Sequence, residues 1–362
     1  MKNILIAIRS IFKKGRHNVM KIVSLGIGLA VGLVLIAKVY FEQSYDDFYP
    51  DRDRVYQVWA KYQQNGGELK DYPQTSGGIA PTMQQQIPEI ETVTRYTSFG
   101  DWTFTMTDTK MKYSGRCIIA DSCFFDILPR PMLIGNAKEV LSTPMYVLVS
   151  SRIAKNIGGD VIGKNFTVDS SPGRTMTIGG VFEEVPENSH SRYDVIVSMA
   201  SAGRFMWEGS PTNMLGNDRY ISYVKLHKGV NPLALEEQVH TFVNSYFPPE
   251  EQQKTGFNIG FSFHELDGLH KELPQVKRMT WILSLLAFAL IFTAVMNYIL
   301  IVISSIVNRS KEVAVHKCYG ASENNIHGMM FGEALVHIVL SLILALLLIL
   351  AFRGTDRKST RL

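Results

Sequence analysis

Three long apolar runs, set at very unequal intervals, constrain this 362-residue chain more than any other feature. They cover Val19–Phe41, roughly Trp281–Val307 and roughly Glu333–Phe352. Each is long enough to cross a bilayer, which takes about 20 apolar residues. The polar stretch between the first two is long enough for a core of its own, or for two small ones. A mean hydropathy of +0.04 averages over these two populations and argues against a single soluble domain. The expected fold class is an α+β membrane protein: transmembrane α-helices with a large α+β domain inserted between spans one and two.

Charge orients the spans. The net charge is +4, and the cations gather at Lys2–Lys21 and Arg309–Lys317, beside the apolar runs. Cytoplasmic loops carry the excess of Lys and Arg, so this is a topology signature and not a nucleic-acid footprint. The N-terminus and the 308–332 segment are therefore expected inside, and the 42–279 domain outside. Within residues 1–18, Ile4, Leu5, Ile8, Ile11 and Phe12 share one helical face. Lys2, Arg9, Lys13, Lys14 and Arg16 supply charge, as in an interfacial amphipathic helix lying on membrane lipid. The first span is placed at 19–41. It ends in Lys38-Val-Tyr-Phe-Glu-Gln, which is a poor cleavage site for a signal peptide. Gly28 and Gly32 form a G-x-x-x-G pair that permits close helix approach. Asn297, in the second span at 280–307, is a polar residue suited to facing another helix.

The external domain reads as mixed strand and helix. Strands are expected from Val55, over Thr103–Asp108 and Lys112–Ala120, and at Tyr220–Leu226. A hairpin joins Asn165–Asp169 to Thr175–Phe182. Helices are expected at Gly78–Ile87, at Ser151–Ile157 ending on Gly158, and at Asn231–Ser245 with Asn231 as N-cap and Pro232 next.

The cytoplasmic segment Asn308–Ser322 is short, charged and amphipathic. As a helix it sets Val313, Lys317 and Gly320 on one stripe and Arg309, Glu312 and His316 on the next. Gly320 stands where a left-handed C-cap would end that helix, and Ser322-Glu323 can open the helix into span three at 333–352. Arg309, Glu312, Val313-Ala314-Val315, His316-Lys317 and Gly320-Ala321-Ser322 resemble the FtsX-like permease domain of MacB-type ABC transporters. The departures are His316, where Arg is usual, and Cys318-Tyr319, where small or aliphatic residues are usual. Tyr45-Asp46 before Arg54-Val55-Tyr56 resembles the start of a MacB-like periplasmic core domain, and Val185–His190 resembles that domain again. Ala7-Ile-Arg-Ser before the glycine-rich span is similar to the family's amino-terminal signature.

The resemblance implies a permease subunit of the bacterial inner membrane, multi-pass, with no catalytic residues and with ATP bound only by a partner. Its coupling segment, here Arg309, Lys311, Glu312, Val313, His316, Lys317, Gly320 and Ala321, would pack against a cytoplasmic ABC ATPase. It further implies a homodimer or pseudo-dimer, an envelope partner protein, and export of a peptide, antibiotic or lipoprotein. The strand-rich lobe that the family inserts into the core domain is expected at about 130–185. Two other readings are a membrane-anchored ligand sensor and a mechanotransmitter activating an envelope hydrolase. The basic tail at 353–362 lacks the fourth span implied by the resemblance and reads as a C-terminal truncation.

Chemistry is otherwise sparse. Gly158–Asn165 nearly matches a phosphate-binding loop but has Asn165 where Ser or Thr is needed, and the expected order is helix then strand, the reverse of the motif. His264-Glu265 is followed by Gly268 where a zinc helix needs its second His. The acidic pairs Asp46/Asp47 and Asp51/Asp53 are expected to be solvated or paired with Arg52 and Arg54. Neither cofactor nor metal is expected. Cys117 and Cys123 are expected as unpaired buried thiols, with a bridge between them the alternative.

Overall fold

The computed structural model describes residues 18–308, 314–315, 318–319 and 323–359. The chain divides into two compact units, Met1–Gln43 with Leu273–Leu362, and Ser44–Glu272. The expected amphipathic helix of residues 1–18 lies almost wholly outside the described residues.

The first unit holds helix α1 (Asn18–Gln43), and two later helices close the chain. In the second unit, strands and helices alternate as β1 (Val55–Gln64), β2 (Lys70–Tyr72), α2 (Ile79–Gln86), β3 (Ile90–Met106), β4 (Lys112–Ala120) and α3 (Phe124–Ile127). There follow β5 (Met132–Ile134), α4 (Ala137–Ser142), β6 (Tyr146–Ser150), α5 (Ser151–Ile157), β7 (Asn165–Val168) and β8 (Ser171–Phe182). The unit ends with β9 (Val195–Ser198), α6 (Ala202–Phe205), β10 (Ile221–Leu226), α7 (Glu236–Tyr246), α8 (Pro249–Thr255), β11 (Phe257–Glu265) and α9 (Gly268–Lys271). The first unit then resumes with α10 (Pro274–Asn308) and α11 (Glu323–Ser359). Segments of α1, α10 and α11 are long and apolar enough to cross a membrane: Asn18–Gln43, Pro274–Ser304 and Met330–Phe352.

The strands pair in the order β11-β1-β10-β3-β4-β9-β6-β8-β5, with β2 on β1 and β7 on both β3 and β8. That last pairing closes a ring. Strand β3 pairs β4, β4 pairs β9, β9 pairs β6, β6 pairs β8, β8 pairs β7, and β7 returns to β3. Strand β3 serves both parts of the unit. Its first half pairs β10 in an open sheet, and Phe104–Met106 pairs β7 in the ring. The change occurs at a register shift between Ser98 and Gly100, where Gly100 has φ +73. A bulge there bends the strand, and the left-handed backbone favours glycine. The strand-rich lobe is thus not the contiguous 130–185 insertion expected. Those residues supply β5 to β8, but the ring closes only through β3, β4 and β9.

Strand periodicity sorts the side chains. Trp102, Phe104 and Met106, then Cys117 and Ile119, Val147 and Val149, Phe166 and Val168, and Val195 and Val197 all enter one core. Their neighbours Ile118, Ala120, Leu148 and Ile196 enter another, with Tyr96, Phe124, Phe182, Tyr193 and Tyr223. Successive strand residues point to opposite faces, so the first set fills the ring and the second packs outside it. Burying one such aliphatic or Phe side chain contributes about 1.5–3 kcal/mol. A third core lies beneath α2 and α7, built on Val58, Met83, Val224, Leu226 and Phe242.

One buried cation fastens the open sheet. Arg95 Nε donates to Asp121 Oδ2 at 3.2 Å. Its Nη1 donates to the carbonyls of Gly77 and Pro211, and the guanidinium lies over the Tyr220 ring at 5.5 Å. Burial raises the Asp121 carboxyl above its usual range, with the Arg95 charge opposing it. Both ring-side cysteines are free thiols. Cys117 sits inside the ring and Cys123 is half-buried beside α3.

Candidate functional site

The eight residues read as the coupling segment, Arg309, Lys311, Glu312, Val313, His316, Lys317, Gly320 and Ala321, lie outside the described residues. Within that segment, Ala314, Val315 and Cys318 are helical and the Tyr319 amide bonds the Val315 carbonyl at 3.1 Å. Val315 and Tyr319 are exposed, at 54% and 88%.

In the helical unit, α1 lies between α10 and α11. A Cβ at Gly28 would overlap Ala294 Cβ, and one at Gly32 would overlap Ile291. A Cβ at Gly26 would come within 2.9 Å of Leu344 Cδ2. Asn297 Nδ2 donates to Ser24 Oγ at 2.6 Å. The partners of α1 descend along α10, from Asn297 to Ala294 to Ile291, as α1 ascends. They ascend along α11, because Ser341 Oγ donates to the Ile22 carbonyl at 3.1 Å while Gly26 meets Leu344. Hence α1 runs antiparallel to α10 and parallel to α11.

Sequence reading missed a polar stripe on α11. Glu333, His337 and Ser341 recur at i, i+4, i+8 and are all buried. The Tyr298 ring meets His337 edge-on at 6.3 Å between centroids. Asn18 and Lys21 of α1 are also buried, with Lys21 Nζ 3.4 Å from Asn18 Oδ1. The signal was available as polar residues repeating every fourth position in an apolar run. Such groups face the bundle interior because lipid would leave them unsolvated.

In the unit of residues 44–272, the first and last segments are fastened together. The Tyr45 and His270 rings stack at 3.4 Å. Lys271 Nζ bonds Asp47 at 2.9 Å and Asp267 at 2.8 Å, and Arg52 reaches both acids at 3.1 Å. Burial opposes the charge on Lys271, but these two carboxylates outweigh it and raise the ammonium above its usual pKa. Asp47 and Asp51 are paired with arginines, Asp51 with Arg54 at 3.1 Å and also with Lys225 at 2.5 Å.

Asp46 is a correction to the solvated or arginine-paired reading. It is 1% exposed and has φ 61. Its Oδ1 accepts from the His190 amide and from Ser189 Oγ, each at 3.2 Å. Its own amide donates to the Asn188 carbonyl at 2.9 Å. His190 Nδ1 lies 2.9 Å from Asp46 Oδ2, close but not well aligned, and Nε2 is 2.6 Å from Tyr223 Oη. Two sequence motifs 144 residues apart therefore meet.

The residues weighed for metal or nucleotide chemistry do not converge. His264 stacks on Trp59 and His270 on Tyr45. Burial lowers the His264 imidazole, which favours its neutral form. Among the described residues, no three of His, Cys, Asp and Glu are grouped to hold a metal ion. Gly158 caps α5, and the chain then turns into β7.

Membrane-length helices packed on a close glycine face, with a β-rich unit inserted between the first two, are the architecture of a protein that carries a large domain on a helical membrane unit. Residues 20–242 match the MacB-like periplasmic core domain, and residues 284–355 match the FtsX-like permease C-terminal domain. The chain belongs to this MacB/FtsX-type permease family and is a membrane permease component of an ABC-type system. It is 32% identical to a domain of a permease protein from Porphyromonas gingivalis, with a TM-score of 0.55 over 60% of this chain and 91% of that one. It is also similar to the periplasmic region of MacB from Actinobacillus actinomycetemcomitans, at 15% identity and TM-score 0.39, over 61% of this chain and 92% of that one. The extracellular domain of the noncanonic ABC-type transporter YknZ from Gram-positive bacteria gives 10% identity and TM-score 0.40, over 57% and 98%. No curated protein matches the chain. Permeases of this family are generally non-catalytic and typically work with an ABC ATPase.

Proposed function

We propose that the chain converts ATP hydrolysis by a separate cytoplasmic subunit into movement of its external unit. In this reading the N-terminus and residues 308–332 are inside, and residues 44–272 are outside. The coupling segment takes up the partner's motion, and α1 and α10 carry it outward. One observation supports this most. The two ends of the 44–272 unit continue covalently into α1 and α10, and they are fastened by the Tyr45–His270 stack and the Lys271, Asp47, Arg52 and Asp267 ion pairs. Each such half-exposed pair contributes little alone, about 0–1 kcal/mol, but the network gives both stems one footing. The movement would serve outward transport of a peptide, antibiotic or lipoprotein, or activation of an envelope hydrolase. The unit acts as a homodimer or pseudo-dimer in this reading, and it binds no cofactor itself.

Charge reversal at Glu312 and Lys317 together tests the coupling. The double variant should insert normally yet lose most stimulation of a co-purified ATPase. Unchanged stimulation would remove the coupling assignment. Topology is tested separately by single-cysteine labelling in intact cells, with Cys117, Cys123 and Cys318 replaced. An impermeant maleimide should modify Asn65→Cys and spare Ser310→Cys. The reverse pattern would invert the orientation.

A further inference from the structure

We propose that Asp46, His190 and Tyr223 form the joint through which displacement of the stem after α1 reaches the strand ring. The proposal rests on the transmission reading above and assigns its route. Asp46 is the first buried residue of the external unit, two positions into it. Its left-handed backbone disfavours a residue with a side chain, at a cost of about 1–2 kcal/mol, so surrounding contacts must hold it. Those contacts come from Asn188, Ser189 and His190. These three lie in the loop between β8 and β9, both of which are ring strands.

The same loop has a second attachment. His190 Nε2 meets Tyr223 Oη on β10 at 2.6 Å, and Ser191 Oγ donates to Tyr96 Oη on β3 at 2.8 Å. Burial raises the phenols of Tyr96 and Tyr223 above their usual values, so both stay protonated. The imidazole presents Nε2 to Tyr223 Oη at 2.6 Å and Nδ1 to Asp46 Oδ2 at 2.9 Å, so one ring faces both groups. The imidazole is therefore the common member of the stem, the ring loop and the open sheet. A buried polar network of this kind is specific in geometry, because an unpaired member finds no water to replace its partner. Displacing Asp46 must drag the loop or break the network.

The test uses the full chain in lipid nanodiscs. In hydrogen exchange without any partner, Asp46→Asn should speed exchange of the 186–194 loop about tenfold. His190→Gln should speed residues 44–49 by a similar factor, as losing one buried hydrogen bond allows. The double variant should add little, because each residue holds the other. Unchanged loop exchange in Asp46→Asn overturns the joint. With the ATPase bound, wild type should show nucleotide-dependent protection changes in the ring strands, and His190→Gln should lose them while keeping ATPase stimulation. Met83→Ala, in the core beneath α2, should lower thermal stability yet keep the changes. If His190→Gln keeps the wild-type response, the joint alone fails. If wild type shows no response, the transmission reading itself fails and the route with it.

Discussion

Replacing Arg95 by alanine is expected to destabilise the 44–272 unit by about 3–5 kcal/mol, the usual cost of removing one partner from a buried ion pair. The guanidinium serves the Asp121 carboxylate, the Gly77 and Pro211 carbonyls and the Tyr220 ring at once. Alanine leaves the two carbonyls and the ring unserved, and leaves Asp121 only the amide of residue 95, which donates to Oδ2 at 3.0 Å. The pH dependence follows from Asp121, whose carboxyl burial already raises. Without Arg95 the opposing charge is gone and the folded-state pKa rises further. A group raised in the folded state contributes stability that is present below its unfolded pKa and lost as pH rises through the folded one. Arg95→Ala should therefore be least damaged near pH 4 and most damaged above neutrality. Limited proteolysis of the full chain in detergent across pH 4–8 reads this directly. A loss independent of pH would mean that Asp121 is not left buried and charged.

Gly28→Leu should disrupt the α1–α10 contact. Even a Cβ at this position overlaps Ala294, and the remaining leucine atoms have nowhere to go without separating the helices. Overpacking typically costs about 1–3 kcal/mol. Close backbone approach is itself a main source of helix association in lipid, so the loss is expected at the upper end. A disulfide engineered between Ser24→Cys and Asn297→Cys should form in the parent and fail with Gly28→Leu. Gly332→Ala is the control, since a Cβ there meets nothing within 4 Å. It should be neutral or gain up to about 1 kcal/mol from helix propensity. Normal cross-linking in Gly28→Leu would show that the glycine face does not set this contact.

Several elements of the 44–272 unit were legible locally. Lys112–Ala120 and Ser151–Ile157 have the same bounds by sequence and by structure, and Ile79–Gln86 differs from expectation by one residue at each end. Asn231 caps the next amide run as its position suggested, accepting from the Leu233 amide, although the first turn is 3-10 before α7 begins. Strand β11 was not among the expected strands, although Phe257, Ile259, Phe261 and Phe263 alternate along it. His264, near its end, was weighed only against a zinc motif, which Gly268 rules out. Strands β6 and β9 are buried almost throughout and so lack alternation. Short apolar runs of that kind do not distinguish strand from buried helix. For the site, the glycine and asparagine positions in the spans were visible from composition, whereas the buried Asp46 looked like any acid in a polar stretch.

The sequence by itself determined the partition into membrane-length helices and an inserted polar domain, and it identified the permease family. Those properties depend on short windows: about 20 apolar residues satisfy a bilayer wherever they occur, and motif residues stand close together in the chain. Tertiary structure alone decided which strands close the ring, that β3 bends at Gly100 to serve two sheets, and that Asp46 meets His190. Each of these depends on pairing between segments far apart in sequence. A strand's pattern states which face is apolar but not which partner will cover it, so only the assembled chain could supply those neighbours.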